Sequence, residues 1–367
     1  MISDREAGKI LVCSLVAAGF LLAAGRSAKA DFVFGEPENL GPTVNSAYSD
    51  GISDISSDGL ELYFESDRPG TQGDYDIWGA RRRTVEDLWE TPINLGAPVN
   101  GPHEDYGPCI TRDGLALYFS SDRPGGSGGG DIYVATRATI EDPWEEPVNV
   151  GQIVNGSAWD SCPSISADGL TLVFGSNREK TGTAYSALCY IYMTTRATVD
   201  APWGTPVRLG PEVNPGLAYD SGYPSISADG LSLYFRRAIG ETKGLWVATR
   251  TSASEPWTRT VDLGMRGASP RFSADGSMMY WVSRRYGGYG DADLLQVLVM
   301  PIVDFNADSA VDCIDICDLV DHWGTDDSLY DIGPTPFGDG VVDGQDLLVL
   351  AEYIVQSTPD VSDVNDL

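Results

Sequence analysis

Two groups of acidic residues are spaced so that they could do chemistry. Near the C-terminus, Asp304, Asn306, Asp308, Asp312 and Asp315 place side-chain oxygens at positions 1, 3, 5, 9 and 12 of a twelve-residue stretch, and Ala310 places its carbonyl at position 7. Hard oxygens in that alternation wrap a hard cation, and calcium is the ion such a loop takes. A second stretch repeats part of the pattern, with Asp339, the Val341 carbonyl, Asp343 and Asp346 at positions 5, 7, 9 and 12. Positions 1 and 3 fall there on Thr335 and Phe337. Phenylalanine offers no ligand oxygen, so either Asp331 loops in to substitute or the second site is weak.

The second group is Asp50, Asp105, Asp160 and Asp220, each 8 or 9 residues ahead of an Asp-Gly pair and each near an aromatic or imidazole ring: Tyr48, His103, Trp159 and Tyr219. Carboxylates beside aromatic faces suit a polyol or a cation, which makes these acids, with His103, Trp159 and Tyr219, a candidate ligand site for carbohydrate. The recurrence also has a framework explanation. Catalytic carboxylates of glycosidases are single residues with separated pKa values, whereas a residue present in four copies is what every copy needs, a capped turn or a bond to its neighbour. The chain holds only two histidines, His103 and His322, and no nucleophile and base stand out as a pair. No catalytic residue is assigned, and the pattern leans towards binding over catalysis.

The elements that position these residues come from an internal repeat. Asp58-Gly59, Asp113-Gly114, Asp168-Gly169, Asp229-Gly230 and Asp275-Gly276 recur with Asp spacings of 55, 55, 61 and 46. Spacing in this range fits four strands with their turns, hence propeller blades. Alternating apolar residues around each Asp-Gly, such as Leu115, Leu117 and Phe119, mark hairpins. A Gly-rich turn then leads to a third strand (Asp131 to Arg137, with copies at Asp76, Tyr190 and Gly244), and a fourth begins at Trp89, Trp144, Trp203 and Trp257. Its proline places it at the blade edge. Phe34 to Gly41 is a further copy of this fourth strand with no blade before it, and the fifth blade lacks one. The expected fold is therefore all-β: a five-bladed β-propeller over residues 31–302, closed by the N-terminal strand. A small all-α, EF-hand-like calcium module follows over residues 303–357, with a disordered tail at 358–367.

Residues 1–30 read as a signal peptide: an apolar run from Ile10 to Ala24 behind Lys9, ending in Ser27-Ala28-Lys29-Ala30. The run is shorter than the roughly 20 residues of a membrane helix, and no later stretch approaches that length. The expected protein is secreted, extracellular or periplasmic, with no membrane span. The formal net charge is -30, and residues 304 to 367 contribute 16 acids and no Lys or Arg. Such a surface repels nucleic acid and anionic membranes and suits divalent cations or basic partners. Five cysteines follow the leader, an odd number with no zinc-site spacing. Cys313 and Cys317, one helical turn apart, read as small apolar helix residues.

Two resemblances follow from these motifs. Residues 166–174 (SADGLTLVF), residues 120–137 (SSDRPGGSGGGDIYVATR) and the recurring PW and PVN segments resemble the WD40-like propeller repeats of the Tol-associated periplasmic protein family, over residues 34–301. That resemblance implies the fold and no particular activity. The first acidic loop and the helix after it, with Ile316, Leu319, Val320 and Trp323 at helical spacing, resemble the first repeat of a type I dockerin. This implies a cohesin-like or surface-protein partner, read by loop positions 10 and 11, here Cys313-Ile314 and Gly344-Gln345. The expected function is a secreted noncatalytic binding or display propeller attached to an assembly or surface by its calcium module. The alternative is a glycoside hydrolase or lyase of polysaccharide catabolism carrying the same tail.

Overall fold

The computed structural model describes residues 32–179, 189–216, 219–239, 242–284 and 288–301, and beyond these 303, 305, 311, 313–325, 330–332 and 341–357. The expected leader and the final ten residues lie outside the described residues. Blade one is β3 (Asp50–Ile55), β4 (Glu61–Ser66), β5 (Asp76–Arg81) and β6 (Ile93–Asn94). Blade two is β7 (Asp105–Ile110), β8 (Ala116–Ser121), β9 (Asp131–Thr136) and β10 (Val148–Asn149). Blade three is β11 (Asp160–Ile165), β12 (Thr171–Ser176), β13 (Tyr190–Thr195) and β14 (Val207–Arg208). Blade four is β15 (Tyr219–Ile226), β16 (Ser232–Ile239), β17 (Thr242–Thr249) and β18 (Arg259–Asp262). Blade five joins β19 (Ala268–Phe272), β20 (Met278–Ser283) and β21 (Asp293–Pro301) to β1 (Phe32–Phe34) and β2 (Glu38–Asn39) from the start of the chain. Every sheet is antiparallel, and the first strands of successive blades pack on one another around a ring.

The Asp-Gly motif makes the first hairpin of each blade. Asp58 Oδ1 accepts the Leu60 amide at 3.0 Å and the Ser56 hydroxyl at 2.5 Å, while Gly59 takes a left-handed φ of 72° that a side chain would resist. The other four blades repeat the aspartate-to-amide bond through Asp113, Asp168, Asp229 and Asp275. At the outer edge, Arg82, Arg137, Arg196 and Arg250 each donate from Nε to the turn glycine's carbonyl at 2.7–2.8 Å. Each also stacks over Trp89, Trp144, Trp203 or Trp257 at 4.3–4.4 Å. The tryptophans therefore precede the fourth strand instead of opening it. That strand is two residues long in blades one to three and four residues long in blade four.

Second strands are buried on both faces: Leu62 and Phe64, Leu117 and Phe119, and Leu172 and Phe174 on one face are 0% exposed, and Tyr63, Tyr118 and Val173 on the other are buried too. A blade is covered by a neighbour on each side, so the alternation expected of a half-exposed strand is lost, and core clusters cross blade boundaries.

Ring closure is explicit in the register: Val33 pairs with Met300, Phe34 with Val299, Glu38 with Gln296 and Asn39 with Leu295. After it, Asn45 accepts the Leu294 amide at 2.8 Å and donates to the Leu294 carbonyl at 2.9 Å.

Past the propeller, α1 (Cys313–Asp321) and α2 (Gly344–Ser357) close over a small core that includes Val303, Phe305, Leu319, Ile332, Val342 and Leu350. Helix α1 is short and turns one ridge, Ile316 and Leu319, to that core. Val320 and Trp323, expected on the buried face, are 49% and 48% exposed, and Cys313 and Cys317 are exposed free thiols. Among the described residues no helix is long and apolar enough to cross a membrane.

Deleting residues 31–41 removes both strands that complete blade five and uncovers two sheet edges. The shortened protein is expected to melt lower and to aggregate in size-exclusion chromatography. A monomer with an unchanged melting temperature would disprove closure by the N-terminal strand.

Candidate functional site

The recurring acids expected at the propeller mouth lie inside the blades. Asp50, Asp105 and Asp160 are 0% exposed and pair with Arg68, Arg123 and Arg178 at 2.5–2.6 Å. The second oxygen of each accepts a backbone amide, from Ser46, Gly101 and Gly156, and each arginine also donates to a valine carbonyl, Val44, Val99 or Val154. These are clamps joining the loop that enters a blade to the end of its second strand. A buried carboxylate whose oxygens are already satisfied is not available to a ligand, which corrects their placement as a ligand site.

Asp220 differs. An extra residue in β15 displaces it, so that it bonds the Cys189 amide at 2.8 Å and the Arg236 guanidinium. His103 sits 3.7 Å from Asp122, and Trp159 packs on Gly129 and Gly130 beside Tyr106 and Cys162. Neither these two nor Tyr219 is among the residues that line the axial cavity described next.

That cavity, of about 430 Å³, opens at one mouth of the ring, within the size range of small-ligand sites. Register fixes which residues are equivalent there. Glu65, Ser120, Gly175, Arg236 and Val282 stand opposite Gly51, Tyr106, Ser161, Gly222 and Ala268, one pair per blade. Of these second-strand residues Glu65, Arg236 and Val282 line the cavity, and just ahead of the first strands Ser49, Glu104 and Arg266 line it too. Where the framework repeats, these positions diverge, and Glu65, Glu104, Arg236, Lys243, Arg266 and Arg284 are the charged residues of the lining. Three tyrosines, Tyr75, Tyr106 and Tyr223, join them. Each first strand carries a bulge. The one in β15 puts Tyr223 at a left-handed φ of 55° and its ring under Arg236, 4.6 Å from the guanidinium.

Glu65 is the anomalous group. It is 9% exposed, it has no ion pair among the described residues, and the bond it accepts is from the Gly107 amide at 3.0 Å. Burial pushes its carboxyl up to about 8, against the smaller opposing effect of that amide, so near neutral pH it is largely protonated and can donate. Burial similarly raises the Tyr106 hydroxyl and the Cys162 thiol, which stay protonated.

Below the cavity Arg271 stoppers the axis. Its guanidinium donates to the Pro224 carbonyl at 2.5 Å and the Pro163 carbonyl at 3.2 Å and lies 3.7 Å from Asp54. Three other blades thus converge on one side chain of the fifth.

In the C-terminal module, Asp304, Asn306, Asp308, Ala310, Asp312 and Asp339 lie outside the described residues. Asp315 and Asp346 are both 0% exposed and occupy matching places: Asp315 accepts the Phe305 amide at 2.8 Å and Asp346 the Ile332 amide at 2.6 Å. The residue before each amide, Asp304 and Asp331, is therefore equivalent in the two halves, and Asp331 is buried. Val341 is exposed and Asp343 half-buried. Among the described residues no group of three or more metal-ligating side chains is assembled.

No protein-family model matches the chain, and no curated protein matches it. Solved structures do. TolB from Acinetobacter baumannii is 15% identical with a TM-score of 0.44 over 68% of this chain and 54% of that one, so this chain spans about half its length. A putative TolB from Agrobacterium tumefaciens is 16% identical, TM-score 0.45, over 72% and 83%. An alpha-L-arabinanase of Penicillium chrysogenum, complexed with arabinobiose, is 16% identical, TM-score 0.41, over 68% and 74%. At such identities the likeness concerns the fold alone.

Because Glu65 binds its proton more tightly in the folded chain than the ordinary carboxyl does, the folded state holds the extra proton between about pH 4.5 and 8. Stability is expected to fall as pH rises through that window, by a few kcal/mol at most. Glu65→Gln should flatten the pH dependence and melt higher than the parent at pH 8 to 9, with the two converging at pH 5. Parallel melting curves across the range would show that Glu65 is not a buried acid.

Proposed function

We propose that the propeller is a noncatalytic binding domain whose ligand enters the axial cavity, and that the acidic C-terminal module is a calcium-loaded, dockerin-like attachment to an extracellular assembly or surface. The observation that carries the first half is the divergence of the cavity-facing positions. The repeat keeps Asp, Arg, Asn and Trp where a blade needs them for folding, and varies at the register positions of Glu65, Arg236 and Val282, which line the cavity. A framework requirement would have kept one residue at those positions; a ligand without fivefold symmetry is met by different ones. The chain's leader-like start suits export.

The second reading, a glycoside hydrolase or lyase, draws on Glu65, a carboxyl held protonated near neutrality in a cavity, which is the condition of a general acid. Titration calorimetry of the full chain against plant and algal oligosaccharides, alongside reducing-end release, separates the two. Binding without turnover, lost in an Arg236→Ala variant, is the expected result. Turnover that disappears in Glu65→Gln while binding persists would establish the enzyme instead.

For the module, the reading rests on the matched Asp315 and Asp346 and on the acids spaced ahead of each. Several carboxylates in so short a loop repel one another without a cation, so binding energy becomes folding energy. Calcium added to the chelator-treated full chain should release heat and increase helical circular dichroism, and Asp304→Ala with Asp315→Ala should abolish the first-loop response. A silent titration would remove calcium, and with it the cohesin-like partner, from the proposal.

A further inference from the structure

The charges around the axial cavity are not distributed evenly. Across the chain 54 Asp and Glu outnumber 24 Lys and Arg, yet the lining reverses that balance, with Arg236, Lys243, Arg266 and Arg284 against Glu65 and Glu104. The four cations come from blades four and five and the segment between them; the two acids come from blades one and two. Lys243, Arg266 and Arg284 make no ion pair within 4 Å among the described residues. Arg236 spends one guanidinium nitrogen on Asp220, but its buried Nε has no acceptor among the described residues. Cations gathered against the sign of the whole molecule, with donors left over, call for an anion from outside.

On the opposite arc the lining changes character. Tyr75 presents a ring and hydroxyl and Tyr106 a ring whose hydroxyl is buried, with Glu65 between strand two of blade one and the Gly107 amide. The apolar side chains are small, Ala268, Val282 and Ala292, so no pocket exists for a peptide side chain. Glu104 adds a carboxylate on the acid side, so negative charge of a ligand is matched on the cation arc alone. The complement is a ligand whose entering end is anionic towards that arc and offers hydroxyls and C–H faces to the other. Resting on the reading of this cavity as the ligand site, we infer that it takes the carboxylate-bearing end of an acidic sugar chain, the carboxylate on the cation arc and the ring hydroxyls among Glu65 and the tyrosines.

The probes are trigalacturonate, its carboxyl-reduced neutral counterpart and inorganic phosphate, titrated into the full chain by calorimetry at low and physiological salt. The double variant Lys243→Ala with Arg266→Ala tests the arc, since neither residue holds the framework together, and its melting temperature reports that the fold is kept. Trigalacturonate is expected to bind, the neutral trimer to bind about tenfold or more weakly, and the double variant to lose about tenfold in trigalacturonate affinity, the scale of one charge-assisted hydrogen bond. Equal binding of both trimers, each weakened in an Arg236→Ala variant, would leave the cavity as the ligand site and overturn the acidic-sugar assignment. Phosphate binding that trigalacturonate does not displace would overturn it too, marking a general anion site. Trigalacturonate binding indifferent to both variants would place the ligand elsewhere and overturn the cavity reading itself.

Discussion

The ring depends on an asparagine amide at four of its five junctions between blades. Asn100 accepts from the Ile77 amide and donates to the Ile77 carbonyl, at 2.9 and 2.8 Å, and Asn155 and Asn214 do the same to Ile132 and Ile191. A side chain thus pairs with a strand backbone as another strand would, within an interior where an unpaired peptide group costs several times what the bond contributes. The two-residue fourth strands stop early because this amide continues the ladder for them. Asn45 makes the same pair of bonds to Leu294, 249 residues away. The junction between the last blade and the first thus uses the same bonds as the first three, and the ring closes without a special device; between blades four and five the Leu245 amide bonds the Met265 carbonyl instead, at 3.0 Å.

The Asp–Arg clamps act beside these amides. A buried ion pair is weak evidence for net stabilisation, because desolvation opposes the attraction, but loss of one partner strands a buried charge. That asymmetry explains why the acids recur: once the arginine is present its aspartate cannot vary. Blade four shows the cost of departure. There Ser221 stands in register where the other blades have the clamp aspartate, Ser221 and Arg237 both donate to the Val213 carbonyl, and Asp220 pairs instead with Arg236, which lines the axial cavity.

The fold was legible in the sequence for the same reason that part of the site was not. Asp-Gly turns, the orphan copy at Phe34 to Gly41 and the spaced tryptophans are repeated requirements of a blade, and repetition makes a requirement visible without any structure. The same signal marks Asp50, Asp105 and Asp160, which are framework. Trp159 and Tyr219 lie at the starts of first strands but outside the lining, which takes Ser49, Glu104 and Arg266 from that end of the other blades. Glu65 and Arg236 were visible only as exceptions: Phe64-Glu65, Phe119-Ser120, Phe174-Gly175 and Phe235-Arg236 align on phenylalanine and disagree at the next residue. In the C-terminal module the longer second loop hid the match between Asp304 and Asp331, which emerges from the shared bonds to Asp315 and Asp346 and not from residue counting.

The axial cavity also concentrates the molecule's unfavourable local choices. Cys162, Tyr223 and Ser269 sit at left-handed φ values of 53°, 55° and 56°, each directly before a proline, where such backbone costs on the order of 1 kcal/mol or more. Glu65 is desolvated without a cation to compensate it, and Arg236 keeps a donor unused. The left-handed side chains are not needed for the bulge itself, since blade two reaches it with Gly107 and no side-chain penalty. What they share is position: all lie on the first two strands, at or beside the axis. A fold held at four junctions by asparagine amides and in three blades by ion-pair clamps tolerates strain at its centre, and that tolerance lets similar blades present residues as different as Glu65, Arg236 and Val282 to one cavity.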